Sequence, residues 1–166
     1  EHFPASGGCV VVTNHISHFD PLTFAPYVND AGRAPRFLGK SSVFETPVVG
    51  WLVRNAGQIP VYRESHDAAG AFRAAVDAVR QGECVGIYPE ATLTRDPGLW
   101  PMMGKTGAAR VALTTGCPVI PTAQWGAHEV LAPYSKLPHL FPRKVMHVWA
   151  GPPVDLDDLR GREQTA

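Results

Sequence analysis

The segment NHISHFD, residues 14–20, carries the side chains of this sequence best suited to proton transfer. His15 and Asp20 lie five residues apart, directly after a short apolar run. A carboxylate at that spacing can hold one imidazole nitrogen and fix the tautomer, so that the other nitrogen can take a proton from a hydroxyl. A purely structural interpretation also fits, in which His15 sits in a turn and Asp20 caps a helix. The residue types alone leave both interpretations open.

Other polar side chains follow the apolar runs further along the chain. Arg63 comes directly after QIPVY (58–62), and both Glu90 and Arg95 come after CVGIYP (84–89). In a parallel sheet the carboxyl ends of the strands meet at one edge, where ligands usually bind. If these runs are strands, their polar residues lie close to the histidine segment.

The elements that would position these side chains alternate along the chain. Short runs with apolar residues predict strands at 9–14, 36–40, 58–62, 84–89, 118–124 and 144–151. Helices are predicted from Asp20 (as N-cap, with Pro21 at N1), at 46–57, 67–81 and 106–116, and near the end at 156–161. Irregular segments are expected at 90–104 and 125–143. This order predicts a single α/β domain over 1–166, with a largely parallel mixed sheet flanked by helices.

The 67–81 helix has the clearest pattern, and Pro60 restricts the third strand. Phe72, Val76 and Val79 recur at helical spacing on one face, and Gly82 ends the helix. Because proline lacks the backbone N–H, Pro60 predicts an edge strand or a strand start.

The charge balance excludes several classes of protein. The chain of 166 residues has 15 Lys and Arg against 15 Asp and Glu, with 45% hydrophobic residues. A general nucleic-acid binder normally has a strong basic excess, so no nucleic-acid partner is expected. No apolar run approaches the ~20 residues of a membrane-spanning helix, so we expect membrane contact to be peripheral.

The cysteines and histidines do not form a recognisable metal or disulfide pattern. Cys9, Cys84 and Cys117 are odd in number and widely spaced, each beside an apolar run. We therefore expect buried, reduced cysteines in a reducing, cytosolic compartment. His15 and His18 form H-x-x-H, but the spacing fixes no third ligand, so no metal site is expected.

Four sequence blocks, in order along the chain, resemble those of the glycerolipid acyltransferase family, above all the 1-acylglycerol-3-phosphate (lysophosphatidic acid) acyltransferases. The blocks of that family are N-H-x4-D, G-x-I-x-V-x-R, Pro-Glu-Gly-Thr-Arg-Ser after an aromatic residue, and Val-Ile-Pro. The matching residues are Asn14, His15 and Asp20; Gly57, Ile59, Val61 and Arg63; Tyr88, Pro89, Glu90 and Thr92; and Val119, Ile120 and Pro121. The resemblance covers about residues 9–150 and implies a glycerol-3-phosphate acyltransferase-like fold.

The third block matches only in part. Ala91 stands where the family has glycine, and Leu93 stands where it usually has arginine. The basic group of this block has an alternative in Arg95 or Lys105. This departure leaves the phosphate ligand and the acceptor open.

The resemblance implies a mechanism without a protein nucleophile or a cofactor. His15 is the general base on a hydroxyl of the lysophospholipid acceptor, and Asp20 orients it. The resulting oxygen attacks the thioester of acyl-CoA or acyl carrier protein, which is the co-substrate. Backbone N–H groups near residues 90–95, or at the helix start near residue 20, are candidate donors to the oxyanion.

The resemblance also suggests residues that bind the phosphate or support the dyad. Arg63 is the first choice for the phosphate, because its planar guanidinium suits that group and it belongs to the second block. Lys40, Arg95 and Lys105 are further phosphate-binding candidates. Glu90 either holds Arg63 or another cation in place or caps a helix, and Asn14 and Ser17 support the histidine segment.

The resemblance also implies an apolar groove for the acyl chain and a contact with lipid. Trp51–Val53 and Trp100–Met103 either line that groove, touch lipid or pack in the core. We expect a membrane-associated protein at the cytoplasmic face, peripheral or monotopic. The family often has a membrane-associated helical piece before the first block; here such a piece is either absent or lies outside these 166 residues.

Two alternatives remain at this point. The same fold could acylate glycerol-3-phosphate, another lysophospholipid or a glycolipid. The chain could also be a non-catalytic lipid-binding module, which would not depend on His15.

Overall fold

The computed structural model describes residues 2–61 and 68–159. Within these ranges the strands are β1 (Cys9–Val12), β2 (Pro35–Lys40), β3 (Ile59–Val61), β4 (Cys84–Ile87), β5 (Val119–Trp125) and β6 (His147–Ala150). The helices are α1 (Asp20–Asp30), α2 (Ser41–Phe44), α3 (Pro47–Asn55), α4 (Ala68–Arg80), α5 (Gly107–Thr115) and α6 (Ala127–Val130), followed by a 3-10 turn at Asp157–Leu159.

The strands form one sheet in the order β3-β2-β4-β1-β5-β6. All neighbouring pairs are parallel except β5 and β6, which are antiparallel. Val10 of β1 lies opposite Val85 of β4 and Val119 of β5. The predicted α/β fold with a largely parallel mixed sheet is therefore confirmed, and five strands end at one common edge.

Apolar side chains of the central strands alternate between the two faces of the sheet. Val10 packs in a core with α4 and α5, which contribute residues such as Val79 and Val111. Val11 points the other way, into a core with Phe24 of α1. Burying both faces explains why these strands are short continuous apolar runs.

The loops after β1 and β4 diverge because the helices that follow them pack on opposite faces. These two strands are neighbours in the sheet, while α1 packs on one face and α5 on the other. A crevice opens at such a point of an α/β sheet. The crevice lies between the segment containing His15 and the segment containing Glu90.

Gly86 of β4 permits the close packing beneath this crevice. A methyl group at its Cβ position would lie 2.5 Å from the ring of Phe37 on β2. Glycine therefore allows the aromatic ring to lie directly against the β4 backbone.

Most predicted elements are present, with specific differences. Asp20 is the first residue of α1, and Phe19 occupies the N-cap without a side-chain cap, so the N-cap assignment was wrong by one residue. The carboxylate of Asp20 turns back to the preceding loop instead. The segment predicted as irregular at 125–143 contains the end of β5 and the short helix α6. Near the end, the described residues form only a 3-10 turn, and 160–161 lie outside them.

Other local predictions are confirmed. Pro60 lies in β3, which is an edge strand of the sheet. Val76 and Val79 of α4 are buried and Phe72 packs against the same core. Cys9, Cys84 and Cys117 are buried.

Candidate active site

His15 and Asp20 form a hydrogen-bonded pair at the carboxyl end of β1. The distance between His15 Nδ1 and Asp20 Oδ2 is 2.8 Å. The same oxygen accepts hydrogen bonds from the backbone N–H groups of Ile16 at 2.7 Å and Ser17 at 2.9 Å. An ionised carboxylate can only accept, so Nδ1 carries the proton and Nε2 carries the free lone pair. The pair thus holds the tautomer that a general base requires.

The two side chains of this pair differ in their burial. The side chain of Asp20 is fully buried, whereas that of His15 is 16% exposed. A buried carboxylate is stabilised only by hydrogen bonds or opposite charge. The two N–H groups and the imidazole supply these hydrogen bonds to Oδ2. The carboxylate therefore orients the His15 ring and also stabilises the loop before α1.

Tyr88 packs against one face of the His15 imidazole ring. Its ring stacks on that of His15 with 4.1 Å between centroids and a 23° angle. Phe37 stacks on Tyr88 in turn, at 5.7 Å. Burial, together with the charge of Asp20, raises the pKa of the Tyr88 phenol well above its ordinary value. The phenol therefore remains neutral beside the histidine at physiological pH.

Glu90 joins the loop after β4 to the histidine segment. Its Oε1 accepts a hydrogen bond from the backbone N–H of His15, and its Oε2 accepts one from Met102, each at 2.9 Å. The backbone N–H of Thr94 donates to the carbonyl of His15 at 2.8 Å. Among the described residues Glu90 pairs with no cation and caps no helix. Its carboxylate holds the backbone of His15, and Arg63, the first candidate cation for it, lies outside the described residues.

Asn14 and Ser17 anchor the segment on the side of β5. The Asn14 amide donates to the carbonyl of Gln124 at 3.0 Å and accepts from its N–H at 2.8 Å. The Gln124 side chain returns a bond to the Asn14 carbonyl at 3.0 Å. Ser17 Oγ donates to the carbonyl of Leu131 at 2.6 Å. Sequence reasoning missed Gln124 and Leu131 as partners, although Gln124 closes the VIPTAQ strand.

The candidate phosphate-binding residues do not all lie in one place. Lys40, at the end of β2, and Lys105 line the same cavity as His15. Arg95 is exposed and is absent from the lining of that cavity. Arg63 lies outside the described residues.

The cavity around His15 has a volume of about 820 Å³ and a largely apolar wall. Its apolar lining includes Leu22, Phe37, Phe44, Leu52, Val53 and Ile87. Trp51 is exposed and is not part of this wall. Such a groove suits a hydrocarbon chain, while the two lysines suit an anionic headgroup.

A second cavity, of about 680 Å³, lies across the Pro89–Glu90 turn. Trp100, Pro101 and Met102 line it, together with Trp125 and Trp149. The predicted apolar segments therefore divide between two cavities: Leu52 and Val53 face the histidine, and residues 100–102 face the other side.

The turn after β4 has backbone N–H groups without partners. Ala91 has a φ of 58°, a left-handed conformation that glycine adopts without strain, and its N–H donates to Tyr88. The N–H groups of Thr92 and Leu93 make no hydrogen bond within residues 2–61 and 68–159, and both residues line the histidine cavity. At the start of α1, the N–H groups of Ile16, Ser17 and Asp20 are all bonded. His18, which also lines that cavity, has a backbone N–H without a hydrogen bond among the described residues, so the turn at 90–95 offers two free donors and the helix start offers one.

Two further observations concern the described residues as a whole. No helix among them is long and apolar enough to cross a bilayer. The described part of the chain also contains no group of three or more His, Cys, Asp or Glu side chains that could hold a metal ion.

Comparisons with known proteins show similarity to acyltransferases. A family model described as Acyltransferase matches residues 1–125. A chloroplastic 1-acyl-sn-glycerol-3-phosphate acyltransferase of Brassica napus is 31% identical over 133 residues, 79% of this chain and 37% of that protein. A 1-acyl-sn-glycerol-3-phosphate acyltransferase of Borreliella burgdorferi is 31% identical over 135 residues, 78% of this chain and 50% of that protein.

A solved structure shares the fold. The crystal structure of the 1-acyl-sn-glycerophosphate acyltransferase PlsC from Thermotoga maritima matches with a TM-score of 0.69 and 22% identity. The match covers 98% of this chain and 61% of that chain, so this sequence spans only part of the length of its relatives. Since the family model alone covers most of the 166 residues, the chain belongs to the acyltransferase family.

Proposed function

We propose that this chain transfers a fatty acyl group from an acyl thioester to the free hydroxyl of 1-acylglycerol-3-phosphate, giving phosphatidic acid in phospholipid biosynthesis. One observation carries the proposal. The 2.8 Å His15–Asp20 pair opens on an apolar groove that also has Lys40 and Lys105 in its lining. A proton acceptor, a place for a hydrocarbon chain and cations for a phosphate are the three requirements of this reaction.

In the proposed chemistry, Nε2 of His15 takes the proton of the acceptor hydroxyl as its oxygen attacks the thioester carbonyl. The charge of Asp20 stabilises the imidazolium that forms. The tetrahedral intermediate then expels the thiolate, which recovers the proton from His15 as the C–S bond breaks and the ester C–O bond remains. A thioester is reactive enough that no acyl-enzyme or cofactor is required.

The developing negative charge on the carbonyl oxygen needs hydrogen-bond donors. We assign this role to the N–H groups of Thr92 and Leu93, which have no other partner in the described part of the chain. Preorganised backbone donors of this type act without reorganisation during the reaction.

We assign the acceptor phosphate to cations at the carboxyl ends of the strands. Lys40 and Lys105 share the histidine cavity. Val61 lines the same cavity, and Arg63 comes two residues after it in the sequence. We therefore keep Arg63 as the proposed bidentate ligand of the phosphate. Arg95 is the weaker proposal, because its side chain is exposed away from that lining.

The proposed partners are an acyl-CoA or acyl carrier protein donor, a lysophospholipid acceptor and a peripheral membrane surface at the cytoplasmic face. No nucleic acid is included, because the charges of the chain balance. Acceptors such as glycerol-3-phosphate are the second candidate. These acceptors are included in the test because the third block has Ala91 in place of the glycine of the family.

An acceptor panel tests this proposal. One labelled acyl-CoA is supplied with 1-acylglycerol-3-phosphate, glycerol-3-phosphate, a lysophosphatidylcholine and a glycolipid in turn. We expect the highest kcat/KM with 1-acylglycerol-3-phosphate. A higher value with another acceptor would assign the chain to that substrate, and thioester loss at the background rate with all of them would indicate a lipid-binding module.

A further inference from the structure

We propose that a bilayer containing anionic lipids binds the face formed by residues 131–146 together with Trp100, Trp125 and Trp149, here called the basic-aromatic face. The choice of a bilayer as occupant rests on the proposed function, because both proposed substrates carry fatty chains. The location of the face rests on exposure, charge and position in the fold.

Residues 131–146 expose an unusual amount of apolar surface. Phe141 is 86% exposed and Leu137 is 75% exposed, and Leu140 and Val145 are exposed as well. Four large apolar side chains within nine residues form a patch, whereas isolated exposed ones are common on soluble proteins. A patch of this kind is expected to be covered when the protein works.

Two of the three tryptophans, Trp125 and Trp149, lie on the strands that the 131–146 segment connects, and Trp100 lies in the loop after β4. They line the second cavity together, and all three are exposed. Trp125 of β5 lies opposite His147 of β6, and His147 is the first residue after the 131–146 segment. Tryptophan is enriched at membrane–water interfaces, where its ring contacts chains and its N–H contacts headgroups.

The charge of the segment selects the type of surface that binds it. Lys136, Arg143 and Lys144 are its charged residues, and there is no Asp or Glu from Val130 to Val154. Removing these three cations leaves 12 Lys and Arg in the rest of the chain against 15 Asp and Glu. The segment thus has a net charge of +3 beside exposed apolar side chains, while the rest of the chain sums to −3, and this local excess matches an anionic bilayer.

The basic-aromatic face adjoins the proposed active site. The 131–146 segment connects β5 to β6 at the sheet edge where the parallel strands end. Tyr134 donates a hydrogen bond to the carbonyl of Leu93 at 3.1 Å, and the carbonyl of Leu131 accepts one from Ser17. A bilayer bound here would lie next to both loops of the site, where lipid substrates enter.

A second exposed apolar surface, on α3, is the main competitor. Val48, Val49, Trp51 and Leu52 are exposed there. Glu45 precedes this helix, and the Arg54 guanidinium donates to the carbonyl of Phe44. This surface lacks the concentrated positive charge of the basic-aromatic face, so we take the latter as the bilayer contact.

Vesicle co-sedimentation of the full chain tests the assignment. Vesicles of phosphatidylcholine alone are compared with vesicles that also contain phosphatidylglycerol. We expect binding to the anionic vesicles that weakens as salt increases. Replacing Lys136, Arg143 and Lys144 by Gln should lower the partition coefficient by roughly 10²-fold. The double variant L140S/F141S should also lose most of the binding.

Matched controls separate this inference from the others. V48S/V49S makes the same number of changes on α3 and should bind vesicles as wild type does. H15A should bind normally while losing acyl transfer, and L140S/F141S should still acylate a short-chain, water-soluble acceptor. This difference separates failure of the bilayer assignment from failure of the proposed reaction, and circular dichroism checks that each variant is folded.

Three results would overturn the inference. The first is unchanged binding of the Gln variant to anionic vesicles. The second is loss of binding by V48S/V49S with retention by L140S/F141S, which would move the bilayer to α3. The third is a dimer in size-exclusion chromatography that L140S/F141S dissociates, without any vesicle binding by the wild type.

Discussion

Replacing Asp20 by Asn removes a charge from the dyad while leaving its geometry in place. Three donors converge on the Oδ2 position: His15 Nδ1 and the N–H groups of Ile16 and Ser17. An amide nitrogen at that position would face two backbone donors. The amide oxygen therefore occupies it, accepts the same three bonds and keeps the proton on Nδ1. The amide nitrogen then takes the place of Oδ1, a buried atom without a hydrogen-bond partner in the described residues, so D20N removes the charge of the carboxylate and adds a buried donor without a partner.

The magnitude follows from the geometry of the pair. With 2.8 Å between the bonded atoms, the centres of charge of carboxylate and imidazolium lie about 4 Å apart. At an effective dielectric constant near 20, that attraction is about 4 kcal/mol. Each 1.4 kcal/mol, roughly, is a tenfold change in rate, so D20N should lower kcat/KM by about 10³-fold.

The assay is release of free thiol from acyl-CoA in the presence of 1-acylglycerol-3-phosphate. D20A is the companion variant, because it loses both the charge and the acceptor of the three bonds and should be at least as impaired as D20N. A kcat/KM for D20N within about tenfold of wild type, less than about 1.4 kcal/mol, would refute the electrostatic role of Asp20.

Three further changes test the scaffold of the site. A91G should raise the free energy of unfolding in urea by about 0.5–1 kcal/mol, because Ala91 has a left-handed φ of 58°; A109G on the exposed side of α5 should lower it by about 1 kcal/mol. G86A should lower it by about 1–3 kcal/mol, because the methyl group would meet the ring of Phe37 at 2.5 Å. Because the pKa of Tyr88 is raised in the folded state, the free energy of unfolding of the protein should fall as the pH rises above the unfolded pKa of about 10. Y88F keeps the ring and should make this fall with pH less steep. An unchanged slope in Y88F would contradict the assigned burial of the phenol.

The fold was largely predictable because its strands are buried on both faces. Continuous apolar runs such as CVVV and CVGI leave few alternatives to a central parallel strand, and Pro60 correctly indicated an edge. The short helices α2 and α6 were not predicted, since four residues are too few to display a helical period.

The proximity of His15 and Asp20 was predictable because five residues of chain separate them. The rest of the site depends on contacts that spacing does not encode. Asn14 bonds to Gln124, 110 residues away, and Glu90 reaches the backbone of His15 across 75 residues. A backbone partner leaves no signature of residue type, so Glu90 was expected to hold a cation or cap a helix.

The most direct test of the account is the rate of phosphatidic acid formation by H15A, with H2A, which changes an exposed histidine at the start of the chain, as its control. The account predicts that H15A loses about 10²–10⁴-fold in kcat while remaining folded, and that H2A matches the wild type. A folded H15A protein with a rate close to that of the wild type would contradict the proposed role of His15 as the general base.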